Sequence, residues 1–271
     1  MSSRWVLIVA LFFIVTADAE AAKLQPQTLR AWDAYAQLTE QRIASELNSS
    51  AGFLRIEFMP LPEAARTMQT IKGGRVAIQK MTTRAANGKE IDVPDGMMHH
   101  WLGAIFIPNI KLQTVIQWVQ NYDQHQRYFK EVEQSKLVSR DGDTFKIFLR
   151  FVRKKVVTVH YNTHHTVVYR THADDRVSSR SFTTRIAELE DPGTSSEKEK
   201  PIGDDSGFFW RLNSYWRLKE IDGGVVVECE SISLSRSIPF GFGWLIKGFI
   251  ESVPRESLES TLVSTRDGIK R

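Results

Sequence analysis

The sequence predicts an α+β fold in which a curved antiparallel sheet of seven strands wraps around a long C-terminal helix. Three observations predict it: successive β-rich runs between Met97 and Arg236, turns too short to join anything but antiparallel neighbours, and a closing apolar face at helical spacing. A sheet that curls around a helix encloses space. The same pattern therefore predicts a protein that holds something apolar.

The first strand of this plan spans 97–107 and ends at Pro108, and Asn109 is placed to cap the helix that follows. That helix is marked by Leu112, Val115, Ile116, Val119 and Tyr122, and a second short helix is expected over 124–132. Asp141-Gly142, set between 136–140 and the alternating Phe145, Ile147, Leu149 and Phe151, is a hairpin signal. The next run, 156–171, is rich in β-branched and aromatic residues, and Asp174-Asp175 turns it into 177–189. The last pair, 208–221 and 225–236, meets at Asp222-Gly223-Gly224. After the Pro239-Phe240-Gly241-Phe242-Gly243 bend, Phe242, Ile246, Phe249 and Val253 fall on one helical face, continued by Leu258, Leu262 and Ile269. Pro254 removes one helical hydrogen bond, so a kink or the start of a second helix is expected there.

A chain of 271 residues suits one sizeable domain with additions. Arg4, the apolar run from Trp5 to Val15 and the small-residue site Ala17-Asp18-Ala19 read as a signal peptide over 1–19, with the mature chain beginning near Glu20 and residing in the periplasm or outside the cell. The apolar run falls short of the ~20 residues needed to span a bilayer. Residues 20–95 form an extension: a helix over 28–47 with Trp32, Tyr35, Ala36, Ile43 and Leu47 near one face, then a hairpin in which Gly73-Gly74 separates 68–71 from 76–81. The ligand-binding domain occupies 96–271, and its polar, turn-rich stretch 191–207 is expected to be a mobile loop suited to a lid.

Charge and cysteine usage exclude several classes of function. The 36 Lys and Arg barely exceed the 32 Asp and Glu, and no platform of interleaved aromatic and basic residues exists, so nucleic acid is not a partner. The densest basic cluster, Arg150, Arg153, Lys154 and Lys155, is a solvated turn or a point of transient contact with anionic headgroups at a membrane surface. Cys229 is the sole cysteine, so no internal disulfide forms, and in a strand it reads as a small apolar filler.

Strand alternation names the cavity lining. Phe145, Ile147, Leu149 and Phe151 share one face of their strand; Val157, Val159, Tyr161, His165, Val167 and Tyr169 share one face of the next. Phe208, Trp210, Leu212, Trp216 and Leu218 do so in the fifth run, while Arg211, Asn213, Arg217 and Lys219 lie opposite. Ile246 and Phe249 are the expected contribution of the closing helix. Charges interrupt this pattern. Glu228 and Glu230 share parity with Val226, Ile232 and Leu234, so either a bulge near Ser231 shifts the register, or both carboxylates face inward, or both are exposed. Arg180 and Arg185 likewise share faces with apolar residues, and an inward Arg185 needs a glutamate or a ligand headgroup as its partner.

No metal site, cofactor or nucleophile is expected. His99 and His100 are adjacent in a strand and point to opposite faces, and His160 and His164 are too far apart along an extended chain. No Gly-x-Ser-x-Gly elbow, phosphate-binding loop or dinucleotide fingerprint is present. If chemistry occurs, His165, Glu228 and Glu230, with Tyr161, are the catalytic candidates for acid or base work.

The element order resembles the START-like, helix-grip (SRPBCC) superfamily, which includes lipid-transfer domains, birch pollen allergen relatives and polyketide cyclase-like proteins. The resemblance covers 97–271 and is carried by the lead-in Ala104-Ile105-Phe106-Ile107-Pro108 to the first helix and Ser237-Ile238-Pro239 before the last. It implies a cavity between sheet and C-terminal helix for a hydrophobic ligand. The first reading is an exported binding protein for a lipid or other hydrophobic small molecule, serving transfer or sensing. Two others stay open: a cyclase- or aromatase-like enzyme using His165 and Glu228, and an envelope scaffold that docks through 23–95.

Overall fold

The computed structural model describes residues 22–154, 158–237 and 243–270, with side chains described for 23–154, 158–237 and 252–270. In chain order the elements are β1 (Ala22–Lys23), α1 (Pro26–Leu47), α2 (Leu61–Lys72), β2 (Ala77–Lys80), β3 (Gly96–Pro108), α3 (Leu112–Val119), β4 (Val132–Asp141), β5 (Thr144–Lys154) and β6 (Thr158–Ala173). They continue as β7 (Arg176–Glu190), β8 (Lys198–Glu199), β9 (Asp204–Asp205), β10 (Arg211–Ile221), β11 (Gly224–Arg236) and α4 (Gly243–Ile269). The main sheet is antiparallel, ordered β2-β3-β11-β10-β7-β6-β5-β4 with β8 added to β7, so it has nine strands rather than seven. It curves around α4 in a helix-grip arrangement. No described helix is long and apolar enough to cross a membrane, and the expected leader 1–19 lies outside the described residues.

The extra edge strand comes from the extension. Residues 68–81 do not form a hairpin: Met68 and Ile71 belong to α2, whose first turn contains Pro62 and Glu63, and only the following β2 is extended, pairing with β3. Ala64, Met68 and Ile71 recur at helical spacing and pack with Phe53, Leu54 and Ile56 against Ala104 and Val226. The pattern is helical, and the two glycines end the helix rather than turn a ribbon.

Two other local expectations differ. Asn109 does not cap α3; it takes a left-handed φ of 58° in the turn, while Glu220 of β10 accepts the Leu112 backbone N–H at 2.8 Å and the Lys111 Nζ at 2.7 Å. A carboxylate from a distant strand thus supplies the missing acceptor for the helix start. The expected helix over 124–132 is only a 3-10 turn, Tyr122–Arg127, after which β4 begins at Val132. Further on, a single helix, α4, runs through Pro254.

The sheet is covered on both faces. Its inner face, α3 and α4 enclose one core that includes Ile105, Val115, Val225, Val227, Leu258 and Leu262. On the outer face α1 lays Trp32, Tyr35, Ala36 and Ile43 against Trp210, Tyr215, Ile232 and Leu234. The 191–207 segment, expected to be a mobile loop, is fastened to this framework. Glu197 pairs with Arg150 at 2.8 Å, Glu199 with Arg185, and Lys200 with Glu188 at 2.6 Å, while β9 pairs with β1. Its polar composition serves ion pairs to the sheet.

Gly103 on β3 lets α4 approach the sheet. A Cβ there would stand 2.4 Å from Cδ1 of the fully buried Leu262 and 3.2 Å from Leu258. Gly103→Val is therefore expected to cost about 1–3 kcal/mol of unfolding free energy by overpacking, seen as a lower denaturation midpoint in urea. An unchanged midpoint would show that α4 does not rest on this contact.

Candidate functional site

Between the inner sheet face and α4 lies a cavity of about 360 Å³. Its floor follows from strand pairing. One row across the sheet carries Tyr169, Ser179, Trp216 and Cys229; the next carries Val167, Ser181, Ser214 and Ser231; a third carries Leu212, Ser233 and His99. Ile147, Leu149, Phe151 and Tyr161 extend the floor into β5 and β6. Phe209 closes an aromatic wall, with ring centroids 5.6 Å from Tyr161 and 6.2 Å from Phe151. Leu258, Thr261 and Thr265 of α4 form the roof.

Among the described residues, charge is confined to one end. There Lys130, Glu131 and Arg153 sit beside Val253 and Pro254. Arg153 contacts Glu131, the Ser257 Oγ at 3.0 Å and the Glu256 carboxylate at 3.4 Å, tying the sheet to α4. Arg153 is thus spent within the protein, and Lys155 of the same cluster lies outside the described residues. Arg150 is likewise occupied by Glu197.

The interior is neutral. His165 is buried with its Nε2 2.9 Å from Thr163 Oγ1, and burial lowers its pKa to about 3. His99 and His125 are each lowered to about 4, chiefly by burial. Burial raises the Tyr161 hydroxyl, which donates to Glu188 at 3.3 Å, and pushes the Cys229 thiol up. Glu131, at the charged end, is the only carboxylate among the described cavity residues. No group of described His, Cys, Asp or Glu side chains could hold a metal ion.

The structure brings together Ile147, Leu149, Tyr161, His165, Tyr169, Leu212 and Trp216 as expected. Phe145 is not at the surface of the cavity. It lies behind it, wedged between Tyr122 and Tyr169 at centroid distances of 5.6 and 5.3 Å. Trp210 precedes β10 and turns to the outer face, where its indole N–H donates to Asp205 at 3.0 Å under α1. Arg185 points outward to Glu199, because the register of β6 and β7 shifts between His164 and His165. The side chains of Ile246 and Phe249, and residue Val157, lie outside the described residues. Sequence reasoning missed His99 and the serines of β7, β10 and β11. The serines share parity with Trp216, Val227 and Cys229, a signal that counting apolar residues discards.

Glu228 and Glu230 are neither inward nor exposed. β11 pairs without a bulge at Ser231, so both carboxylates face outward and are buried beneath the extension. Glu228 accepts backbone N–H bonds from Arg55 at 2.6 Å and Ile56 at 2.9 Å. Arg217 donates to Glu46 and to the Phe53 carbonyl at 3.0 Å. Glu230 meets Arg42 and lies 2.7 Å from His100 Nε2, while His100 Nδ1 lies 2.8 Å from the Tyr35 hydroxyl. Tyr35 already accepts the Thr83 N–H, so its proton goes to Nδ1 and the Nε2 proton to Glu230. Burial lifts Glu228 to about 7 against the pull of Arg217. Burial also pushes Glu230 upward, but His100 and Arg42 outweigh it and hold that carboxyl below its ordinary value.

No protein-family model and no curated protein matches the chain. Among solved structures it is similar to the STAR-related lipid transfer protein (fragment 25–204) from Xanthomonas axonopodis, at 15% identity and a TM-score of 0.47, covering 66% of this chain and 96% of that one. It is similar to the Zhui aromatase/cyclase from Streptomyces sp. R1128 at 9% identity and a TM-score of 0.44, covering 65% and 95%. Human STARD10 aligns at 6% identity with a TM-score of 0.44, covering 70% of this chain and 69% of that one.

Glu46 keeps Arg42 at 3.0 Å and Arg55 at 3.4 Å when Arg217 is removed, but the Phe53 carbonyl loses its donor and Glu46 its most deeply buried one, so Arg217→Ala is expected to lose about 1.5–3 kcal/mol in denaturant unfolding. Stability should also fall on acidification. Below the ordinary histidine pKa of 6.5 the unfolded chain binds protons that His99, His125 and His165 refuse until about pH 3–4. Glu228, raised from 4.5 to about 7, acts in the opposite sense between those values, and three groups outweigh one. The melting temperature is expected to drop from pH 6.5 to 4.5, less steeply in His165→Gln and more steeply in Glu228→Gln. A flat profile contradicts the burial of these groups.

Proposed function

We propose that this protein binds a lipid or other hydrophobic small molecule between its sheet and α4, and carries or senses it without transforming it. The observation that carries this reading is the cavity itself: about 360 Å³, aromatic-walled, with charge only at one end among the described residues, and floored in β5, β6 and β10 by residues that alternation selects. That volume lies within the ~300–1,000 Å³ typical of small-molecule sites. Each ~100 Å² of ligand apolar surface withdrawn from water contributes roughly 2.5 kcal/mol. With the leader 1–19, the proposal extends to a chain that works outside the cytoplasm and moves its ligand through water.

The structure favours binding over the other two readings. Glu228, the enzyme reading's carboxylate, lies across the sheet from the cavity, and its other candidate, His165, is neutral there. The extension, the scaffold reading's docking surface, packs Trp32, Tyr35, Ile43, Phe53, Leu54, Ile56 and Ile71 against this protein's own sheet and leaves Leu61 exposed.

Native mass spectrometry of protein purified without detergent tests the proposal. A hydrophobic adduct is expected, and Ser214→Trp, which plants an indole in the centre of the floor, should abolish it while the far-ultraviolet dichroism stays unchanged. A clean unliganded mass, together with no uptake from liposomes of varied composition, would overturn it.

A further inference from the structure

The cavity floor is crossed by a polar line. Ser214 pairs with Ser181 on one side and Ser231 on the other, so three hydroxyl-bearing residues stand abreast on adjacent strands. At roughly 4.8 Å between strands they span about 10 Å. Ser179 lies two residues back on β7 and Ser233 two residues on along β11, extending the line as a diagonal that ends at His99, the partner of Ser233.

All five serines line the cavity, and none of their hydroxyls bonds to another described residue, although Ser179 and Ser233 are each only 7% exposed. The neighbouring serines behave differently. Ser178 and Ser235, which do not line the cavity, hydrogen-bond to His172 at 2.8 Å and His99 at 2.9 Å. These hydroxyls open on the cavity, Ser181, Ser214 and Ser231 being half-buried, so a guest that displaces water from the floor must offer them oxygen or nitrogen or leave them unpaired. The surroundings set the rest of the ligand. Trp216 and Tyr169 flank the diagonal on one side, and Leu212 with the wall of Phe151, Tyr161 and Phe209 lies on the other.

We propose that the ligand is a flat, ring-framed molecule bearing hydroxyl or carbonyl oxygens along one edge, laid on the diagonal Ser179-Ser181-Ser214-Ser231-Ser233, and that this diagonal selects against plain acyl chains. The proposal rests on the binding reading above and deepens it. Aromatic walls favour flat rings through offset and edge-on packing. An acyl chain keeps its polar group at one end and would leave the hydroxyls facing methylene groups. A site built to hydrogen-bond its ligand rejects analogues that lack the matching atoms.

Equilibrium dialysis of the full chain against three probes tests it: danthron, an anthraquinone with two hydroxyls and a carbonyl on one edge; anthracene, the same rings without oxygen; and palmitate. Danthron is expected to bind about tenfold or more tightly than either of the others. The triple variant Ser181→Ala/Ser214→Ala/Ser231→Ala should erase that preference while palmitate affinity stays within about twofold. Ser214→Ala alone, with a smaller loss in the same direction, serves if the triple variant does not fold. Anthracene or palmitate binding as tightly as danthron, or a preference untouched by the serine changes, sinks the diagonal and leaves the binding reading standing. No binding of any of the three probes also sinks the diagonal, while the binding reading is decided separately by the native mass and liposome uptake.

Discussion

Burial of β11 on both faces is the constraint on which the rest of the structure depends. Its residues alternate between a cavity side, Val225, Val227, Cys229, Ser231 and Ser233, and an outer side, Val226, Glu228, Glu230, Ile232 and Leu234. A strand with two glutamates on a buried face is unstable unless something brings charge and hydrogen bonds to them. The extension does this with Arg42 and the backbone N–H groups of Arg55 and Ile56, while Arg217 of β10 completes the array by reaching Glu46. Residues 23–95 are therefore part of the fold that holds the sheet, not an appendage to a minimal domain.

With the outer face closed, the inner face is free to hold space. α4 rests hard on β3 at Gly103 and is tied to the end of β5 through Arg153, and the cavity is what remains between those two attachments. The strap formed by 191–207 secures the sheet beside it through ion pairs, and its Asp205 holds Trp210 on the outer side. Positioning Trp210 there leaves Phe209 to form the aromatic wall.

The cavity chemistry follows from what this arrangement excludes. Histidines that enter it are kept neutral by desolvation, and the charged groups are gathered at one end, where they serve attachment of α4. What the described interior offers a guest is aromatic surface crossed by serine hydroxyls that no described side chain engages.

Much of this was legible in the chain. Alternation in β5 and β6 marked Ile147, Leu149, Tyr161, His165 and Tyr169, and the turns at Asp141-Gly142, Asp174-Asp175 and Asp222-Gly223-Gly224 set the order of hairpins, because both signals are local in the chain. The long closing helix and the α1 face were readable for the same reason. Parity says which residues share a face but not what covers that face, so Glu228 and Glu230 could be placed only once α1 and residues 53–58 were seen on the outer side. Arg185 and Trp210 turned outward through a register shift and the end of a strand, which depend on distant partners. The alignment of Ser181, Ser214 and Ser231 arises from pairing among three strands, and no segment of sequence contains it. Sequence by itself determined the elements and their periodicity; tertiary structure decided which side of each strand meets the cavity, because only long-range packing chooses what each face is buried against.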